Sequence, residues 1–208
     1  MDCLRPLRRQ KLAQLALLAL LACGSGVASA HTGHADAAMG FLAGFAHPLG
    51  GADHLLAMLA VGLWAAAALP PGRRWLAPLL FVGTLTLGAA LAHHGFGLPL
   101  GGGSLELLIA GSVVLLGALL VGVDRVRPLA GLALTAAAGL LHGTAHGLEM
   151  AGGLSFVAYA AGFALASAVL HAVGLGAGQV LVRMRVAALR LAGAAVGLWG
   201  ALLLVARM

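Results

Sequence analysis

Two histidines and an aspartate stand together in His47-Pro48-Leu49-Gly50-Gly51-Ala52-Asp53-His54, inside a run from Met39 to Leu69 with no other ionisable side chain. A second group, His142, His146 and Glu149, falls at i, i+4 and i+7, which puts all three side chains on one helical face. Imidazoles with carboxylates are ligands for a divalent transition metal. A carboxylate beside a metal-bound histidine can ligate the ion itself or accept the other ring N–H and fix the tautomer, and the spacing leaves both roles open to Asp53. Met58, one turn beyond His54, reads as core before ligand. Four further places carry the same chemistry. His31, whose amino group becomes free if the chain is cut before it, could chelate an ion with His34 and Asp36. His93 and His94 are adjacent, so a helix turns one of them away from the other. Glu106 reads equally as a helix N-terminal charge near Ser104. His171 is alone in a Gly/Ala-rich stretch, either a release site for an ion or a buried donor to backbone.

The elements that hold these groups follow from composition. Of the 208 residues, 62% are hydrophobic and 9% charged, against roughly 45–50% and 25% in soluble domains. The chain is therefore an integral membrane protein, and an ionisable group inside lipid is costly enough to point to function. Its 32 glycines suit helix packing in lipid, where small residues let backbones approach. Arg5, Arg8, Arg9 and Lys11, an apolar stretch from Leu12 to Ala22, and Ala28-Ser29-Ala30 predict a signal peptide over residues 1–30, cleaved after Ala30. An uncleaved first helix and a lipoprotein site at Cys23 fit less well. Cleavage lowers the formal charge from +6 to +3, so basicity argues for no nucleic-acid partner. It also removes Cys3 and Cys23, both cysteines of the chain. Metal ligands are then limited to imidazole, carboxylate, amine and backbone, a set that suits nickel, cobalt or zinc.

Six apolar spans follow a tail over residues 31–38 and make up a transmembrane domain over residues 39–208: Met39 to Leu69, Trp75 to His93, Leu105 to Val123, Leu129 to His146, Leu154 to Gly178 and Val186 to Ala206. The fold class expected is an all-α polytopic bundle of about six transmembrane helices. As one helix the first span would run roughly 46 Å, against about 30 Å of hydrocarbon. Pro48 removes a backbone donor and Gly50 and Gly51 weaken the helix, so a break is expected near Pro48–Gly51. Broken helices in membranes need protein or water to satisfy the freed backbone, and transporter sites use them. Arg73 and Arg74 follow the first span, Arg125 and Arg127 the third, and Arg183, Arg185 and Arg190 the fifth. Basic short loops face the cytoplasm, which predicts a periplasmic mature N-terminus in a multi-pass inner-membrane protein. Arg207 is the exception to that pattern. With this orientation His47, His93, His94, Glu106, His142, His146 and Glu149 gather at the outer side. Asp53 and His54 are expected near mid-membrane and His171 in the inner half.

The first motif, continued by Leu55, Ala57, Met58, Val61 and Gly62, resembles the first-helix signature of the HupE/UreJ family. His142-Gly143-Thr144-Ala145-His146-Gly147-Leu148-Glu149 resembles that family's second block. The resemblance extends over the mature chain, its signal peptide and its His-Thr-Gly-His start. It implies a bacterial inner-membrane permease for nickel, with cobalt as a second ion, serving hydrogenase or urease maturation, with metal-linked residues His47, Asp53, His54, His142, His146 and Glu149. The ion is then a transported substrate, and neither a prosthetic group nor an enzymatic activity is expected. No GxxxxGK[ST] phosphate loop is present, so the chain does not itself hydrolyse ATP. The competing readings are an intramembrane metal-dependent enzyme and a haem-binding electron carrier using the same histidines.

Overall fold

Long runs of leucine, alanine and valine without charge favour helices, whose backbone is satisfied within the segment, and the computed structural model consists of them. It describes residues 34–97, 100–150 and 152–208; the expected signal peptide and His31 lie outside the described residues. Seven α-helices are formed: α1 (His34–Gly50), α2 (Ala52–Ala68), α3 (Leu76–His93), α4 (Gly102–Val121), α5 (Pro128–Glu149), α6 (Phe156–Met184) and α7 (Val186–Ala206), with a 3₁₀ turn at Pro71–Arg73 and no strand among the described residues. Five of them are long and apolar enough to cross a membrane singly, and α1 with α2 makes a sixth span bent by 81°.

The break falls at Gly51, which is extended (φ −103°, ψ 118°) and precedes the first turn of α2. Pro48 stays inside the last turn of α1, where its missing N–H leaves the Gly44 carbonyl without its usual helical partner. Despite the bend, both halves follow α6 in one direction. Gly44 lies against the Tyr159 backbone and Gly174 against that of Leu59, a common register before and after Gly51. The broken pair is thus a single crossing, parallel to α6. The same close approaches make α3 parallel to α5, Gly139 meeting Phe81 and Gly147 meeting Ala89, and α4 antiparallel to α7, Gly117 meeting Gly197 and Gly200 meeting Val113. These directions are those of six alternating crossings. They gather the arginine-bearing connections at one end of the bundle and His47, Glu106, His146 and Glu149 at the other. At the basic end Arg190 Nη2 donates to both carboxylate oxygens of Asp124 (2.7 and 2.9 Å). Hydrogen bonds from that guanidinium hold the Asp124 carboxyl below its ordinary pKa.

The α3–α5 seam tests the packing directly. A side chain at Gly143 would overlap the Leu85 backbone, whereas at Gly83 there is open space. Gly143→Val should lower the thermal midpoint of the detergent-solubilised protein, by overpacking worth about 1–3 kcal/mol or more. Gly83→Val should leave it unchanged; equal midpoints for the two variants would show that the seam does not close as described.

Candidate metal site

The helix break is what assembles the site. His47 sits in the last turn of α1 and His54 in the first turn of α2, and the bend leaves their rings 5.9 Å apart edge to face. The fourth span supplies the third imidazole: the His146 ring lies 4.7 Å from that of His47 and 4.7 Å from that of His54. One nitrogen from each of the three falls within 4.8 Å of the others. Two imidazoles on one ion at metal–nitrogen bonds of about 2.1 Å stand no more than about 4.2 Å apart. Small ring rotations therefore bring the three onto a single ion. Above them opens a cavity of about 460 Å³ lined by Ala43, His47, Gly50, Asp53, His54, Glu106, Glu149 and Arg207, among others.

Hydrogen bonding determines which nitrogens are free. The backbone N–H of His54 donates to Asp53 Oδ1 at 2.7 Å, and so does its ring Nδ1–H, also at 2.7 Å. His54 Nε2 is left buried and without a partner. Asp53 Oδ2 is taken by Arg207 Nη2 at 2.6 Å. His142 follows the same rule one turn deeper. The Ser112 hydroxyl gives its proton to the Ile109 carbonyl (2.7 Å) and accepts from His142 Nε2–H (3.0 Å), so Nδ1 is the bare nitrogen. His171 donates Nδ1–H to the Ser167 carbonyl (2.6 Å) and keeps Nε2 free. Each ring has one nitrogen tied down and the other presented, the arrangement that orients metal-binding histidines. His146 is fully buried and stacked on Phe163 (4.9 Å), with neither nitrogen partnered. At the mouth, His47 Nε2 and Glu149 Oε2 are 3.0 Å apart, both half-exposed.

A family model described as HupE / UreJ protein matches residues 17–203. The chain belongs to the HupE/UreJ family. It is similar to Protein HupE of Rhizobium leguminosarum bv. viciae, 40% identical over 188 residues that cover 86% of this chain and 93% of that relative. No solved structure matches. Family membership and the apolar helices together make the chain a multi-pass membrane protein.

Within this HupE/UreJ chain the expected site residues divide. His47, Asp53, His54, His142, His146 and Glu149 come together at one cavity and its floor. His171 is buried below them, with the Phe81 ring between it and His142 (4.9 and 5.9 Å). Glu106 is on the cavity wall, paired with Arg207 Nε at 3.1 Å rather than acting as a cap. His93 and His94 are exposed at the end of α3, His93 stacked on Phe156 at 4.4 Å, and neither joins the cavity. α1 begins at His34, so part of the expected tail is helical; that residue's side chain lies outside the described residues.

Two placements differ from expectation. Asp53 and His54 are not at mid-membrane: Asp53 touches Arg207, just past the end of α7, and shares the cavity wall with Glu106, near the start of α4. Counting residues from Met39 assumes that all spans start at one level, whereas α1 begins beyond the end of α7 that Asp53 meets. Arg207 is the second. As a charge at the wrong end it contradicted the loop pattern, and it proves to be the half-buried partner of Asp53 and Glu106. Ser112, the partner of His142, gave no signal beyond being a polar residue within an apolar span.

Proposed function

We propose that this HupE/UreJ chain carries Ni²⁺, with Co²⁺ as a second substrate, inward across the bacterial inner membrane to supply hydrogenase or urease maturation. The observation that carries this reading is the three-imidazole group of His47, His54 and His146 at the foot of an acid-lined cavity, with buried unpartnered nitrogens. The carboxylates and His47 at the mouth meet the hydrated ion, and neutral imidazoles replace its water. Below the group, the ring of His142, whose Nδ1 is bare, is 4.7 Å from that of His54, and His171, whose Nε2 is bare, packs on Phe81 (4.9 Å), which makes a descending series of single ligands. Such a series suits an ion that must bind and leave. The arginine-bearing loops lie at the opposite end, which supports a periplasmic mouth.

Radioactive nickel uptake by cells expressing the chain tests this. Uptake should exceed that of empty-vector cells, and should fall as the medium is acidified, because protons compete with the metal for neutral imidazole. No uptake by correctly inserted protein would refute transport. Stoichiometric metal or haem that survives exhaustive dialysis would instead favour a resident catalytic or electron-transfer centre.

A further inference from the structure

Among the groups that line the cavity, one is a cation. Arg207 is only 25% exposed and spans two carboxylates, with Nη2 on Asp53 Oδ2 (2.6 Å) and Nε on Glu106 Oε2 (3.1 Å), while Nη1 donates to the Glu106 carbonyl (3.2 Å). A guanidinium can make this fork with two acceptors where an ammonium makes a point contact. It thereby neutralises the negative charge that would favour a divalent cation on the neighbouring imidazoles. A second positive charge next to a bound dication, in a site walled by protein rather than water, is strongly repelled. The backbone under Arg207 holds it loosely: α7 closes at Ala206, and Arg207 N–H reaches the Leu204 carbonyl only at 3.3 Å.

We propose that Arg207 is a tethered counter-cation of the metal cavity: it neutralises Asp53 and Glu106 between ions and swings out when a divalent ion takes the three imidazoles. This rests on the metal-transport reading above. Entry becomes an exchange of one cation for another, which moderates affinity and allows the ion to leave, as conduction requires. The arrangement also keeps the two carboxylates from standing unpaired against each other when no ion is held.

The test uses the full chain purified in detergent, titrated with Ni²⁺ alone, with hydrogen exchange read over the last turn of α7. Saturating Ni²⁺ should speed exchange in the peptide containing Arg207, by about ten-fold. Arg207→Gln should bind Ni²⁺ about ten-fold more tightly while uptake at saturating nickel slows, because release is retarded; Arg207→Lys, which keeps the charge, should stay within about three-fold of the parent. A residue that merely braces the fold would give the opposite: weaker binding on removal, and exchange that Ni²⁺ leaves unchanged or slows. Either of those results overturns the proposal, as would an Arg207→Lys protein that binds as tightly as Arg207→Gln. Should the glutamine variant not fold, exchange in the parent decides alone. A parent that binds no Ni²⁺ removes the metal-site reading and this one together; a parent that binds Ni²⁺ while Arg207 stays protected removes only the counter-cation.

Discussion

His146→Leu should abolish nickel transport while leaving the protein as stable as the parent, or more so. His146 is fully buried and stacked on Phe163, and neither of its nitrogens is hydrogen-bonded. A buried polar group left without a partner costs about 1–3 kcal/mol, and its replacement by an apolar group of similar shape is near neutral or favourable. Nothing in the packing therefore asks for an imidazole here. The metal does: His146 is the one member of the triad within 4.7 Å of both His47 and His54, so its loss leaves two imidazoles 5.9 Å apart with no third nitrogen to close the set. Deleting partners that merely orient ligands costs 10–100-fold in metal affinity, and deleting a ligand should exceed that, at least about 100-fold or roughly 2.8 kcal/mol. Nickel titration and thermal denaturation of the same purified variant read the two effects separately. A leucine variant that unfolds earlier yet still binds Ni²⁺ would make His146 a packing residue.

How far the site could be read from sequence depends on how each group is held. His142, His146 and Glu149 were legible because helical periodicity places them on one face without reference to the rest of the fold. His47 and His54 were legible for a different reason: proline and adjacent glycines beside ionisable groups in an apolar run predict a break and a pocket at the same place, and the bend occurs there, at Gly51. The alternation of basic loops placed His47 and the second group at one side, but it did not join them into one site. Residue counting set Asp53 and His54 apart near mid-membrane in a column of polar groups, whereas His54 stands beside His142 and His146. What periodicity cannot supply is a partner from a distant span. Arg207 lies 154 positions from Asp53, and its one trace in the sequence was that it broke the charge rule. A misplaced charge in a membrane protein is thus worth treating as a search for a buried partner rather than as noise. His93 and His94 show the converse. Their residue type and membrane side matched the site, but they fall at the very end of α3, where the rings turn onto Phe156 instead of inward. Depth failed for a simple reason too, since counting from the first apolar residue assumes that every span starts at one level.

The sequence left open whether Asp53 ligates the ion or orients His54, and the geometry makes orientation the working role, so Asp53→Asn should lower nickel affinity and uptake by about 10–100-fold without displacing an atom of the triad. Both carboxylate oxygens are engaged, Oδ1 by two donors of His54 and Oδ2 by Arg207. An asparagine has one acceptor and one donor end for those partners. Arg207 and the His54 backbone N–H are both donors only; the charged guanidinium makes the stronger bond and takes the amide oxygen, so the NH₂ faces His54, whose backbone N–H loses its acceptor and whose Nδ1 is left to accept. The ring proton then moves to Nε2, and the nitrogen meant for the metal becomes a donor pointing at it. The signature is specific: ring-nitrogen chemical shifts of His54 should report the reversed tautomer in Asp53→Asn. The effect should also act through His54, so in a His54→Leu background Asp53→Asn should cost little further affinity, the coupling expected of two residues that work as one unit. Full additivity of the two losses would mean that Asp53 meets the ion independently of His54, and parental affinity in Asp53→Asn would mean that the tautomer is set by something other than this carboxylate.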